Sequence, residues 1–267
     1  MDPKTDLPPL RDLLPFDEQD VAVVNALLDQ QPLGVLSIPA VRHQLTMSRL
    51  QRLTPGSVRI VGNPSPAVIE NAIEHNLKGV GGCLDRPERL LGILPSLQYV
   101  RKNLPNLRVL TVGPRSESEL LFLLSLGFRL ENIRGLDLIS YCSSIDLGDM
   151  HDMPYAAGSF DIVALSGCIG YSNDNARVVR EVRRIARPHA VVLILEEWDP
   201  RSNEELMAQG ITLKTDRPRY DSCDDLLKLF EGHVGAVAFR HDRAHLPPSM
   251  HDQTVELIVA FTLEDRV

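Results

Sequence analysis

The sequence predicts an α/β protein built on a doubly wound, mostly parallel sheet. From residue 105 onwards, short runs that are apolar throughout, such as "RVLTVG", "SFDIVALSG" and "AVVLILEEWD", alternate with helical patterns. Strands of this kind are typical of a parallel sheet that helices cover on both faces. The 267 residues, of which 43% are hydrophobic and 24% charged, are enough to bury a full core.

Residues 1–104 are predicted to form a mostly helical region ahead of an α/β domain at residues 105–267. Four helical patterns stand in this region: "DEQDVAVVNALLDQQ", "SIPAVRHQLTMSRLQRL", "SPAVIENAIEHNL" and "RPERLLGILPSLQYVRKNL". The third has a serine followed by proline at its start, which is a common beginning of a helix, and the fourth is interrupted by Pro95. Only "SVRIVG", residues 57–62, reads as a short strand.

The α/β region then follows a regular order. After "RVLTVG" come the helix "ESELLFLLSLG", the strand "NIRGLDLIS", a short strand and loop in "SIDLGDMHDMPY", and the strand "SFDIVALSG". The helix "NDNARVVREVRRIARP" leads to "AVVLILEEWD", and two helices near residues 203–209 and 221–231 precede the strands "VGAVAFRH" and "TVELIVAFTL". With little chain between them, these last two strands are predicted to form an antiparallel edge. Ligands bind such sheets at the carboxyl ends of the strands, here the loops after Val112, Asp137, Gly148, Ser166 and Glu196.

Charge and composition limit the partners. The formal net charge of −8 argues against a general affinity for nucleic acid, which needs clustered cations. No apolar run approaches the roughly 20 residues of a membrane span, and the N-terminus lacks the basic and apolar segments of a signal peptide. We therefore expect a cytoplasmic protein whose partners include neither nucleic acid nor membrane.

A metal site is not expected. The cysteines, Cys83, Cys142, Cys168 and Cys223, include no CxxC pair and are interpreted as buried thiols. The late segment "FRHDRAHLPPSMH" contains three histidines, but their spacing fits no strong zinc pattern, and we interpret it as a polar loop. The histidines in question are His241, His245 and His251. The glycine cluster "GVGGCL" lacks a strong preceding strand and is interpreted as a turn.

Three stretches, "RGLDLIS", "GDMHDMPYAAGSFDIVALSG" and "REVRRIARPHAVVLI", resemble the class I S-adenosylmethionine-dependent methyltransferases, in their small-molecule "type 11" branch. The resemblance covers about residues 105–200. It implies a seven-stranded Rossmann-like sheet and S-adenosylmethionine as the cofactor. By the same resemblance, Asp137 holds the ribose hydroxyls, since a carboxylate accepts two hydrogen bonds from a diol. Asp149 and Met150 would contact the adenine, and Ser166 and Gly167 would lie beneath the cofactor.

The glycine-rich loop of that family is altered. The family usually reads Val-Leu-Glu-Val-Gly-Cys-Gly-Thr-Gly, whereas residues 109–117 read "VLTVGPRSE". Gly113 remains, Thr111 replaces the strand acid, and Arg115 and Glu117 replace two glycines. In one interpretation the loop is rebuilt and Arg115 grips the methionine carboxylate. In the other the cofactor site is lost and the domain is a scaffold or a binding module. In either case Glu117 can be read as an acid at a helix N-terminus, where the dipole favours an anion, and Arg115 can be read as a surface residue that pairs with Glu117 or Glu119.

The catalytic groups are less well marked. Many relatives carry histidines after the fourth strand, where this chain has "GCIGYSND", so Tyr171 is the nearest replacement, although a phenol is a poor base at neutral pH. His151, in the adenine-side loop, is the second candidate, and Glu196, Glu197 and Asp199 lie after the fifth strand. The function predicted is methyl transfer to a small molecule, a sugar or other natural-product intermediate. The alternatives are a catalytically inactive binding or scaffold protein and an enzyme of another reaction in the same pocket. A homodimer or a protein partner stays open.

Overall fold

The N-terminal region consists of helices joined by short turns, as the sequence predicts. The structure is a computed structural model that describes residues 18–54, 56–62, 67–79, 86–208, 219–247, 249 and 253–264. Within them the region contains α1 (Glu18–Gln30), α2 (Pro39–Leu50), β1 (Arg59–Ile60), α3 (Ala67–Gly79), α4 (Arg86–Leu91) and α5 (Gln98–Asn103). A 3-10 helix at Pro32–Ser37 joins α1 to α2, and another at Leu94–Ser96 carries the predicted interruption at Pro95. The first 17 residues, Cys83 and His251 lie outside the described residues.

A seven-stranded sheet follows. Its elements are β2 (Val109–Val112), α6 (Ser118–Ser125), β3 (Ile133–Asp137), β4 (Ile139–Ser140), β5 (Ile145–Leu147), β6 (Phe160–Ser166), α7 (Asn175–Ile185), β7 (Ala186–Trp198), α8 (Asn203–Ala208), α9 (Cys223–Lys228), β8 (Val234–His241) and β9 (Val255–Leu263). In the described residues the sheet order is β5-β3-β2-β6-β7-β9-β8. Strands β5, β3, β2, β6 and β7 are parallel, and β9 pairs antiparallel with both β7 and β8. The antiparallel edge predicted from the last two strands is therefore confirmed.

The strands place alternate side chains in two hydrophobic cores, one on each face of the sheet. On β6, Val163 and Leu165 pack into the core beneath α7 and α9, whereas Ile162 and Ala164 pack into the core beneath α4 and α6. Both faces are covered, which explains why these strands read as continuous apolar runs. In α7, Asp174 caps the N-terminus by accepting the N–H of Arg177 at 2.9 Å.

Two predicted strands differ in extent from the structure. "NIRGLDLIS" is not one strand, because β3 ends at Asp137, whose Oδ1 accepts the N–H of Ile139 at 3.1 Å. This local bond turns the chain, and Ile139–Ser140 pairs with β1 in a separate two-stranded sheet. Strand β7 begins at Ala186, four residues earlier than "AVVLILEEWD" suggests, and an irregularity in its pairing with β6 accommodates the extra residues.

Candidate active site

A cleft opens at the carboxyl ends of β2, β3 and β6, which is the edge that the sequence predicts for ligand binding. The space between its walls, counted out into the open solvent, is about 630 Å³. Its walls come from the loops after β2, β3, β5 and β6 and from α3 of the N-terminal region. Among the loops predicted for the site, the one after Glu196 does not line this cleft.

The loop after β2 keeps a left-handed backbone although one of its glycine positions holds arginine. Gly113 has φ of 72° and Arg115 has φ of 56°, a region that residues with a side chain rarely adopt. A Cβ on Gly113 would come within 2.7 Å of Cys168 Cβ, so the loop needs glycine there. The turned backbone directs the N–H of Arg115 to Asp137 Oδ2, at 3.1 Å.

The two side chains that replace glycines are directed to the N-terminal helices. The Arg115 guanidinium lies against α3, where Nη2 is 2.6 Å from His75 Nε2. The Glu117 carboxylate is buried and forms an ion pair with Arg49 at the end of α2. Burial raises the pKa of Glu117, and the charge of Arg49 opposes that rise only in part. Glu117 thus joins the β2–α6 loop to the helical region, a contact that the sequence did not indicate.

Asp137 occupies one wall of the cleft and is already hydrogen-bonded. Its Oδ1 accepts the side-chain amide of Asn76 at 2.9 Å as well as the N–H of Ile139, and its Oδ2 accepts the N–H of Arg115. Burial raises the pKa of Asp137, although these hydrogen bonds favour the ionised form. Two bonds fill the capacity of Oδ1, whereas Oδ2 keeps a position at which it can accept one more donor.

Asp149 occupies the adjacent wall with a different set of partners. Its Oδ1 lies 2.8 Å from the backbone nitrogen of His151 and 2.6 Å from the Nδ1 of that ring, and His151 Nε2 lies 2.9 Å from Ser172 Oγ. Burial acts to raise the pKa of Asp149, but the two hydrogen bonds and the nearby charge lower it below its usual value. Both ring nitrogens of His151, one of the two predicted catalytic side chains, are therefore directed to protein atoms.

The remaining predicted site residues differ in their access to the cleft. Met150 and Tyr171 line it, and the Tyr171 ring lies 5.8 Å from the ring of His75. Ser166 is fully buried, its hydroxyl donates to Glu119 Oε1 at 2.8 Å, and Gly167 and Cys168 line the wall in its place. The serine supports the wall from behind because its side chain is turned towards α6.

No group of three or more His, Cys, Asp or Glu side chains suited to a metal ion occurs in the described part of the chain. Cys142, Cys168 and Cys223 are free thiols, of which Cys223 is buried and the other two are half-buried. His241 Nδ1 lies 2.8 Å from the carbonyl oxygen of Glu256. The helices of the described residues also include none long and apolar enough to cross a membrane.

Fold and cleft together define a Rossmann-like α/β domain with a small-molecule site at its strand ends. Residues 129–194 match the family model described as "Methyltransferase domain". The norajmaline N-methyltransferase of Rauvolfia serpentina is 33% identical over 85 residues, which cover 31% of this chain and 28% of that protein. The ajmaline N-methyltransferase of the same plant is 42% identical over 52 residues, 20% of this chain and 18% of that protein. The chain thus spans less than a third of the length of these curated relatives.

Solved structures with a similar fold cover most of the chain. One of them is the Burkholderia thailandensis 1,6-didemethyltoxoflavin-N1-methyltransferase, solved with its substrate and S-adenosylhomocysteine. It aligns with a TM-score of 0.50 at 14% identity, covering 78% of this chain and 95% of that one. This likeness shows the shared fold. The family model for a methyltransferase domain matches residues 129–194, about a quarter of the chain, within this shared fold.

The residues that line the cleft are compatible with S-adenosylmethionine, the cofactor that the sequence resemblance implies. Gly113 has no Cβ, and Arg115 has a left-handed backbone. The loop therefore has the kind of backbone conformation that glycines at these positions would allow. Asp137 Oδ2 can accept one ribose hydroxyl as it stands. A second hydroxyl at Oδ1 would have to replace the Asn76 amide, because that oxygen already accepts two bonds.

Sequence reasoning missed the contribution of α3. Asn76 and His75 reach the cleft and its loop from 61 and 40 residues away in the chain. Neither residue stands in a motif, and both occur in a helix that reads as an ordinary amphipathic segment. No signal in the sequence would have identified them.

Proposed function

We propose that this protein binds S-adenosylmethionine in the cleft and transfers its methyl group to a small molecule. The observation that carries the proposal is the loop after β2, where Arg115 adopts the left-handed backbone of a glycine and donates its N–H to Asp137. A loop that had lost its ligand would have no reason to hold an arginine at φ of 56°, since this conformation costs roughly 1–2 kcal/mol. The loop is therefore interpreted as rebuilt.

Different residues of the cleft would bind different parts of the cofactor. Asp137 accepts hydrogen bonds from the ribose, Gly113 allows close approach of the backbone, and Asp149 with Met150 holds the adenine. S-adenosylmethionine supplies an electrophilic methyl group on its sulfonium sulfur. The protein contributes mainly alignment, because holding two reactants in line replaces much of the entropic cost of a bimolecular reaction. Ser166 acts indirectly, by fixing the wall from which Gly167 and Cys168 face the cleft.

A nitrogen atom of a small natural product is the acceptor that we favour. The two curated relatives are named as N-methyltransferases, and the matched segments are short. A neutral amine attacks through its own lone pair, whereas a hydroxyl needs a base to remove its proton. With both nitrogens of His151 engaged, Tyr171 is the side chain left at the cleft for contact with the acceptor. Residues 1–104 would cover this side, and a sugar hydroxyl is the second choice of acceptor. A cytoplasmic location, with neither nucleic acid nor membrane as partner, belongs to the same proposal and rests on composition and charge.

Calorimetric titration of the purified protein with S-adenosylhomocysteine tests the cofactor site. We expect micromolar binding that Asp137→Ala abolishes, because the ribose loses its acceptor. The matched control is Asp152→Ala, an exposed aspartate of the neighbouring loop, which should bind as the wild type does. Loss of binding in both variants, or retention in both, would contradict the role of Asp137.

The alternative is a methyltransferase-like protein that binds a partner and transfers nothing. It is favoured by the saturation of Asp137 Oδ1, which Asn76 and Ile139 fill without any ligand. Absence of binding by the wild type up to millimolar S-adenosylhomocysteine would support this alternative over methyl transfer.

A further inference from the structure

Asp149, His151 and Ser172 form a continuous chain of hydrogen bonds along one wall of the cleft. An ionised carboxylate only accepts, so the 2.6 Å contact with Asp149 Oδ1 places a proton on His151 Nδ1. On the other side of the ring, His151 Nε2 and Ser172 Oγ lie 2.9 Å apart and share a hydrogen bond. Ser172 Oγ in turn accepts the N–H of Asp174, at 3.1 Å. Both ring nitrogens of His151 and the hydroxyl of Ser172 therefore have partners within the protein.

The chain has the order of a hydrolytic Asp-His-Ser triad but not the access of one. Ser172 is only 4% exposed, and it is not among the residues that line the cleft. A nucleophilic serine must reach its substrate, whereas this hydroxyl is held inside the protein. The open end of the chain is instead Asp149, which lines the cleft. The arrangement therefore acts on whatever contacts the aspartate.

We infer that His151 is a positioning residue which fixes the Asp149 carboxylate so that the cleft selects adenine by its exocyclic amino group. The inference rests on the proposed function, in which Asp149 contacts the adenine. Two N–H groups of one residue, the backbone and the ring of His151, both donate to Oδ1. This holds the carboxylate plane and leaves Oδ2 as the acceptor available to a ligand.

Selectivity follows from the chemistry of a carboxylate. It accepts the amino group of adenine, but it repels the carbonyl oxygen that replaces that group in hypoxanthine. A site built to hydrogen-bond a ligand group rejects an analogue that lacks it, because its own polar group is left unpaired. A carboxylate free to rotate would lose most of this discrimination, since it could turn away from the wrong base.

The test compares S-adenosylhomocysteine with its deaminated analogue, S-inosylhomocysteine, by calorimetry. We expect wild-type protein to prefer the adenine ligand by roughly 10- to 100-fold, the effect of one hydrogen bond to a charged group. His151→Ala should reduce this ratio to within about 3-fold, chiefly by weakening the adenine ligand. His151→Asn keeps a donor near the position of Nδ1 and should restore most of the ratio. His233→Ala, at the opposite edge of the sheet, is the matched control and should leave the ratio unchanged.

Each outcome decides the inference. Loss of the ratio in His151→Ala with recovery in His151→Asn supports a positioning role that general destabilisation would not produce. An unchanged ratio in His151→Ala overturns it while leaving cofactor binding intact. If His151→Ala does not fold, Ser172→Ala, which frees the far side of the ring, must lower the ratio, and an unchanged ratio there overturns the inference. Failure of the wild type to bind either ligand overturns the proposed function and the inference together.

Discussion

The two carboxylates that face the cleft are held in opposite ways. Asp137 is fixed by partners that include Asn76, 61 residues earlier in the chain, and the backbone of Arg115. Asp149 is fixed by His151, two residues later, and through it by Ser172. The wall that Asp137 forms therefore depends on how the N-terminal helices dock, whereas the wall that Asp149 forms is organised within the α/β domain.

The pKa values of the two carboxylates are also shifted in opposite directions. Burial dominates at Asp137 and raises its pKa, although several donors surround it. At Asp149 the bonds from His151 outweigh burial, and the pKa is lowered. The comparison teaches that the number of donors does not decide the ionisation of a carboxylate. What decides it is whether those donors compensate for the water that was removed.

The docking of the helical region relies on arginines. Arg42 of α2 is fully buried, where it forms an ion pair with Glu88, donates to Leu36 O and Ser118 Oγ, and lies over the Phe122 ring at 5.0 Å. Arg49, about two turns later on the same helix, pairs with Glu117. Both arginines contact the segment that begins α6, so the loop after β2 is stabilised from the outside.

The largest expected effect is that of Arg42→Ala. Removing one partner of a buried ion pair leaves the other uncompensated, and we expect a loss of about 3–5 kcal/mol in the free energy of unfolding, measured by chemical denaturation. The control Arg52→Ala removes an exposed arginine that bonds only to Ser48 O in the described contacts, and it should change stability by at most about 0.5 kcal/mol. In folded Arg42→Ala protein, the preference for adenine over hypoxanthine should survive, because the Asp149 wall does not use α2. A loss of that preference would mean that the wall formed by Asp149 also depends on the N-terminal helices.

Sequence reasoning predicted the sheet because its signals are local. Continuous apolar strands and the order of elements predict the doubly wound sheet, whereas the roles of Asp137 and Asp149 are implied only by the family resemblance and stay predictions. It did not predict what holds Asp137, because Asn76 and His75 belong to a helix whose contacts are all long-range. When only the loop was considered, Arg115 and Glu117 left two interpretations open, a rebuilt cofactor loop and a lost cofactor site. Their partners on α2 and α3 show that the substitutions connect two regions.

The opposite pKa shifts give a prediction in pH. Ribose hydroxyls need an ionised acceptor, so affinity for S-adenosylhomocysteine should fall as the pH falls through the raised pKa of Asp137, above the usual 3.8 of an aspartate. Below that pKa the affinity should drop by about tenfold per pH unit, since binding must release the proton. Asp149, with its lowered pKa, stays ionised over this range. The pH at which the drop begins should therefore be the same in Asp149→Asn. A shift of that pH in Asp149→Asn would mean that the titration of Asp149, and not that of Asp137, controls binding.

A smaller effect is expected from Asn76→Ala. The Asn76 amide occupies one of the two acceptor positions of Asp137 Oδ1, where it competes with a ribose hydroxyl. Its removal should tighten S-adenosylhomocysteine binding by about 2- to 10-fold, the value of one ordinary hydrogen bond. Asn103→Ala, whose amide bonds to Tyr99 O in its own helix, is the control and should bind as the wild type does. Weaker binding in Asn76→Ala would instead make the amide part of the cofactor site.

The smallest effect separates the backbone of Arg115 from its side chain. Arg115→Gly and Arg115→Ala both remove the guanidinium that contacts His75, and both keep the N–H that donates to Asp137. Alanine still carries a Cβ at φ of 56°, whereas glycine adopts this region freely, at the cost of a more disordered unfolded chain. The glycine variant should therefore be the more stable of the two by roughly 0.5–1 kcal/mol in chemical denaturation.

Ligand binding by the same two variants completes the test. Both should bind adenosine alike, because the loop backbone still holds Asp137. If Arg115 also grips the methionine carboxylate, both should lose affinity for S-adenosylhomocysteine relative to adenosine.

The stability measurement has its own contrary outcome. Greater stability of the alanine variant than of the glycine variant would mean that residue 115 does not hold the left-handed conformation in solution. The loop would then lack the feature on which the proposed cofactor site depends, and Asp137 would be held by Asn76 and the N–H of Ile139 without it.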